Sequence, residues 1–136
     1  MFIITVVDKT SRYEGRTSGE IWMTDFCAGI QDKTSMIKGY RPAVIVSNEM
    51  TNTNPESGFA LVVPVASNQS KGACGSHVTL NHLFGTNKLK VTSTALCEQI
   101  ITVEKSQVRF CLGKVTMEEL EQLDQALMVS LGIMKD

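Results

Sequence analysis

Short apolar runs, separated by clusters of turn-forming residues, fill most of the chain. Phe2–Val7, Gly19–Phe26, Pro42–Ser47, Phe59–Val65, His77–Leu80, Thr94–Val103 and Val108–Lys114 are dominated by Val, Ile, Thr and Phe. Such runs predict β-strands. Glu20-Ile21-Trp22-Met23-Thr24-Asp25-Phe26 partly alternates, as in a strand with one face on a core. Ala43-Val44-Ile45-Val46 is apolar throughout and predicts a buried strand. Short strands at this spacing predict a mainly β domain, a small barrel or a sandwich.

The period changes near the C-terminus. Leu120, Leu123, Leu127 and Leu131 recur at helical spacing and form one apolar stripe. Thr116-Met117-Glu118-Glu119 is a capping box: the Thr116 hydroxyl can cap while Glu119 reaches back to its amide. Gly132 is a natural stop. The pattern predicts one helix packed on the β domain, acidic on its outer side. The connections between strands are polar. Cys27–Tyr40 is long for a hairpin loop, the kind of segment that often carries function. Asn52–Gly58 is full of turn residues, and Ser67–Ser76 is a third polar stretch.

Composition narrows the class. A chain of 136 residues fits one domain with a real core. No run approaches the roughly 18 apolar residues of a membrane span. The start, Met1–Asp8, is apolar but lacks a basic leader, so the expected location is the cytoplasm. Cys27, Cys74, Cys97 and Cys111 show no paired spacing and are expected as free thiols, the last two buried in strands. The net charge of −1 hides an asymmetry: residues 1–115 carry 12 Lys/Arg against 9 Asp/Glu, residues 116–136 carry 1 against 5. The body is mildly basic and the tail acidic, which gives no whole-molecule argument for nucleic acid.

Candidate chemistry is sparse. There is no phosphate-binding glycine loop of known spacing and no GxSxG elbow. Cys74, His77 and His82 are spaced as Cys-x2-His-x4-His, a weak metal signal; His77 reads more simply as the flank of a strand, and no metal or cofactor is expected. Arg41, between the Gly39-Tyr40 turn and the buried run, is the residue of interest. One reading makes it a structural anchor for Asp25 or Glu98. The other makes it an anion site, since a guanidinium stays charged and offers a fork of donors. Thr34, Ser35, Ser67, Asn68, Gln69 and Ser70 supply hydroxyls and amides on two loops.

Several ordered pieces point further: Gly19-Glu20-Ile21-Trp22, Gly39-Tyr40-Arg41-Pro42-Ala43-Val44-Ile45-Val46-Ser47 and Val62-Val63-Pro64-Val65-Ala66-Ser67. Ser76-His77-Val78, Glu98-Gln99-Ile100-Ile101-Thr102-Val103, Gly113-Lys114-Val115 and the terminal helix follow. In this order and spacing the chain resembles the MazF/PemK/Kid toxins, endoribonucleases of bacterial toxin–antitoxin pairs. The likeness covers residues 18–133 as a single domain and leaves 1–17 as an N-terminal extension.

The resemblance implies an SH3-like barrel of the CcdB/PemK/MazF type with a C-terminal helix, assembled as a homodimer. It implies metal-independent, sequence-specific cleavage of single-stranded RNA to a 2′,3′-cyclic phosphate and a 5′-hydroxyl. It further implies a cognate antitoxin, with operator DNA reached through the antitoxin complex, and no membrane partner. Arg41 falls on the family's active-site arginine, Ser35 on a loop position carrying Ser or His, and Glu98 on a carboxylate that one branch uses in catalysis. Lys33, Lys38, Asn68, Gln69, Lys71 and His77 are the expected RNA contacts. There is one departure. Many ribonuclease members carry a threonine where this chain has Ala66; Ser67 can supply the hydroxyl if the register shifts by one residue, through a bulge or the start of a loop. Two alternatives stay open: a same-fold gyrase inhibitor of the CcdB kind, echoed by Leu131-Gly132-Ile133, and a member made inactive by Ala66.

Overall fold

The structure, a computed structural model, describes residues 19–27, 39–67, 75–83 and 87–135. The expected strand Phe2–Val7 lies outside them. The order of elements is β1 (Glu20–Asp25), β2 (Tyr40–Ile45), α1 (Glu49–Thr53), β3 (Phe59–Ala66), β4 (His77–Leu80), β5 (Ser93–Leu96), β6 (Ile101–Glu104), β7 (Val108–Lys114) and α2 (Met117–Ser130). The strands form one antiparallel sheet in the order β4-β5-β3-β2-β1-β7, with β6 also on β3.

Alternation along the strands splits the interior in two. Ile21, Val44, Val63, Val65, Val78, Leu80 and Ala95 face α2, which contributes Leu120, Leu123 and Ala126. Their neighbours Trp22, Ala43, Ile45 and Val62 face the other way and meet Ala60, Val103 and Val108. Trp22 is a core residue, with its indole N–H on Glu20 at 3.0 Å. Among the described residues no strand pairing joins β4 or β6 to β7, so the expected barrel is an open sheet. A 3-10 turn, Lys105–Gln107, carries the chain from β6 beside β3 to β7 beside β1. A backbone bond from Lys88 to Leu112 (2.7 Å) ties the segment before β5 to β7.

Four expectations need correction. Thr94–Val103 is not one strand. From Val65↔Ala95 to Val62↔Ile101, β3 advances three residues while its partner advances six. The extra three, Cys97–Gln99, form a 3-10 turn that buries Cys97 and leaves Glu98 exposed. Second, β2 begins at Tyr40, so Arg41 lies inside the strand. Third, Cys111 is exposed on β7 while Cys97 is buried. Fourth, the helix stripe ends before Leu131, which is 63% exposed.

α1 was not expected. Asn48 caps it by accepting from the Thr51 amide (2.8 Å), and the Lys105 ammonium donates to the Thr51 and Asn54 carbonyls at its other end (2.8 and 3.0 Å). The capping box of α2 is complete: Thr116 Oγ1 accepts from the Glu119 amide (3.1 Å) and Glu119 Oε1 from the Thr116 amide (3.0 Å). The second Glu119 oxygen accepts from the Asn81 amide (3.0 Å) and pins the end of β4 to the helix. Gly132, at φ +79°, ends α2, with Ile133 N–H donating to Met128 O (2.8 Å). That is the geometry of a Schellman stop.

Candidate functional site

Arg41 pairs with Thr24 across the β1–β2 ladder. Alternation sets its side chain on the same face as Ala43 and Ile45, beyond the edge of the second core. Ala43 is fully buried and Arg41 exposed, so the guanidinium stands where that core opens to solvent. Thr24 is buried, and its hydroxyl donates to the Trp22 carbonyl (3.0 Å).

The same row of the sheet continues through β3. The β2–β3 ladder runs from Ile45↔Val62 to Ala43↔Pro64, and Arg41 and Ala66 lie two residues beyond its end on the same face. Ala66 pairs with Thr94 of β5, and Thr94 with Thr79 of β4. Ala66, Thr94 and Thr79 therefore form one row on the face that also carries Arg41. Val65 and Ala66 pair with consecutive residues, so β3 carries no bulge between them. Ser67 follows the strand and is exposed.

Two residues along, on the same face, His77 starts β4 and pairs with Leu96. Its Nε2 lies 3.0 Å from Glu98 Oε2, and the Ser76 hydroxyl donates to Glu98 Oε1 (3.2 Å). The 3-10 turn presents the carboxylate to β4. Burial by itself raises the Glu98 carboxyl. The hydrogen bonds from His77, its own backbone and Ser76, with the His77 charge, outweigh that and hold it below its ordinary value. The other ring nitrogen, Nδ1, is buried and has no hydrogen-bond partner among the described residues. Nearby, His77, Val78 and Thr79 line a cleft of about 420 Å³ against Gln122, Gln125 and Val129 of α2.

A second cation flanks Arg41. Between Thr24↔Val108 and Met23↔Phe110 the β7 strand carries one extra residue, Arg109. This bulge aims its guanidinium at Asp25 Oδ2 (3.4 Å) and over the Tyr40 ring (5.8 Å to the centroid). The carboxylates weighed as anchors for Arg41 each meet other donors as well. Asp25 takes Arg109 and the Cys27 amide (2.9 Å), while Glu98 takes His77 and Ser76.

Of the residues singled out from sequence, Arg41, His77, Glu98 and Ser67 are described, and the first three share one face or its edge. Lys33, Ser35, Lys38, Asn68, Gln69, Lys71 and Cys74 lie outside the described residues, and with Cys74 goes the test of a metal cluster. Thr94, Ser76 and Arg109 escaped the sequence reading. Ser76 was present only as part of a motif, and a threonine in a strand or an arginine in a bulge has no local signature.

Residues 17–131 match the family model described as PemK-like, MazF-like toxin of type II toxin–antitoxin system, and the chain belongs to that family. It is 36% identical over 118 residues to Endoribonuclease MazF9 of Mycobacterium tuberculosis (strain ATCC 25618 / H37Rv), covering 85% of this chain and 95% of that protein. Solved structures share the fold. A mycobacterial endoribonuclease in complex with its cognate antitoxin superposes with a TM-score of 0.66 at 20% identity, over 88% of this chain and 97% of that one. MazF (Form-I) from Deinococcus radiodurans gives 0.65 at 21% identity, over 88% and 99%. Among the described residues no helix is long and apolar enough to cross a membrane.

Proposed function

We propose that this toxin is a sequence-specific endoribonuclease that cuts single-stranded RNA by metal-independent transesterification. The observation that carries the reading is the exposed Arg41, which shares a sheet face with the carboxylate-bound His77. The name of the mycobacterial relative supports the same class of reaction.

In this scheme the ribose 2′-oxygen attacks the adjacent phosphorus, and the bond from phosphorus to the 5′-oxygen breaks. Glu98, held ionised, takes the 2′-proton. The 5′-oxygen leaves with a proton from water, and protonated Glu98 returns its proton to that water. The products are a 2′,3′-cyclic phosphate and a 5′-hydroxyl. Arg41 neutralises charge growing on the non-bridging oxygens, a role worth on the order of 10²-fold or more in rate. Tyr40 and Arg109 offer a stacking surface beside it, and Ser67 a hydroxyl at the loop entrance.

The antitoxin-bound relative supports an antitoxin partner; operator DNA would be reached through that complex. Exposed Met128, Leu131, Ile133 and Met134 on α2 and its tail suit a homodimer or that partner. One observation favours a second reading, a non-catalytic binder: Ala66 supplies no hydroxyl in the Arg41 row. Gly132 acting as a helix stop accounts for the CcdB-like echo.

The test is incubation of a long single-stranded RNA with the protein in EDTA, followed by mapping of the new ends. Cleavage with 5′-hydroxyl ends is expected, abolished in a folded Arg41→Ala variant. Persistent cleavage in that variant removes Arg41 from the mechanism. No cleavage by the wild type, on RNAs covering all short motifs, favours the binder.

A further inference from the structure

The register across the sheet puts a hydroxyl beside Ala66. Thr94 is its direct partner on β5 and lies on the same face as Arg41. Arg41 stands two strands away on that face, across β3. The other threonines of the row are less suited. Thr24 spends its hydroxyl on the Trp22 carbonyl, and Thr79 is one strand further away. Thr94 is only 6% exposed, and its hydroxyl has no hydrogen-bond partner among the described residues. Its hydroxyl is not tied up by them and can donate when an anion arrives.

We propose that Thr94 donates a hydrogen bond to a non-bridging oxygen of the scissile phosphate, facing Arg41 across Ala66. The inference rests on the ribonuclease reading and deepens it. The threonine keeps its proton throughout: it makes no bond to phosphorus and accepts nothing. It strengthens its hydrogen bond as charge accumulates on the oxygen, so it acts in the transition state more than in binding. The site is then complete without a hydroxyl at Ala66. In the bland reading, Thr94 and Thr79 form an ordinary β-branched cross-strand pair, whose worth is packing alone.

The experiment measures single-turnover cleavage of one mapped RNA site in EDTA by the full chain, wild type beside Thr94→Val, Thr94→Ser and Thr94→Val/Ala66→Thr. Thr94→Val is nearly isosteric and is expected to lower kcat on the order of 10²-fold with KM changed less than about 3-fold. Thr94→Ser should stay within a few-fold of wild type, and the added threonine at 66 should restore at least a tenth of the lost rate. Thermal midpoints report folding. If Thr94→Val does not fold, Thr94→Ala, which also removes the donor, replaces it. A folded Thr94→Val or Thr94→Ala that cleaves at the wild-type rate overturns the proposal and leaves the ribonuclease reading intact. Equal losses in the Val and Ser variants overturn it in favour of packing. A wild type that cleaves no RNA overturns both.

Discussion

Lys105 offers a stability prediction whose size follows from its surroundings. The residue is 4% exposed, and its ammonium donates to the Thr51 carbonyl (2.8 Å) and the Asn54 carbonyl (3.0 Å). Both acceptors close the C-terminal end of α1, where the helix dipole favours a cation. Burial pushes the ammonium pKa down, the mark of the desolvation it suffers. Lys105→Met keeps the apolar stem and removes the charge. Two hydrogen bonds from a charged donor contribute about 1.5–3 kcal/mol each, roughly 3–6 together. Against that stands the released cost of burying a charge. Asn54 is exposed and can recruit water for its carbonyl, while Thr51 is half-buried. The expected net loss is about 2–3 kcal/mol. For a chain of this length that corresponds to a fall of roughly 6–12 °C in Tm.

Urea and thermal unfolding followed by circular dichroism measure this, with the cleavage rate per folded molecule expected to stay unchanged. The competing expectation is that methionine packs as well as the lysine stem, as buried ion pairs sometimes allow. A variant within about 0.5 kcal/mol of wild type, or more stable, would refute the view that Lys105 holds α1 to the turn between β6 and β7.

Three further outcomes follow from the same structure. The Glu98 carboxyl sits below its ordinary value in the folded state, so its contribution is present above the unfolded pKa of about 4.5 and is lost as pH falls through the folded value. The stability gap between wild type and Glu98→Gln should therefore shrink in urea titrations below about pH 4, from less than about 1 kcal/mol because the site is partly exposed; a pH-independent gap would contradict this. Burial, then the Glu98 charge, pushes the Cys97 thiol up to about 12. In native protein at pH 8, alkylation mapped by mass spectrometry should spare Cys97 until urea unfolds the chain. Gly19 sits at φ +75°, and an added Cβ would lie 2.8 Å from Val115 Cγ2 and 3.3 Å from Leu120 Cδ1. Gly19→Ala should cost about 1–3 kcal/mol, read from the unfolding midpoint, since both the backbone and the α2 contact resist it.

Six apolar runs bounded by turn residues cover the regions of all seven strands, because a half-buried strand needs little more than its side-chain period. Val108–Lys114 and His77–Leu80 match to the residue. The α2 capping box was readable for the same reason, as both of its bonds form within four residues. The five-residue α1 was hidden, since Lys105, more than fifty residues away, ties down its end. The break at Cys97–Gln99 was hidden too: it exists because β3 is shared between β5 and β6 at different registers.

The division in the site is of the same kind. Sequence alone determined that Arg41 borders a buried strand and that Glu98 and His77 belong to ordered family pieces. It left Arg41 divided between anchor and anion site. Tertiary structure decided that Glu98 meets His77 and that Asp25 meets Arg109, contacts spanning 21 and 84 positions. It also set Arg41, Ala66 and Thr94 on one face of three strands. Local chemistry cannot carry such information, because which strands become neighbours depends on how the whole chain closes its two cores.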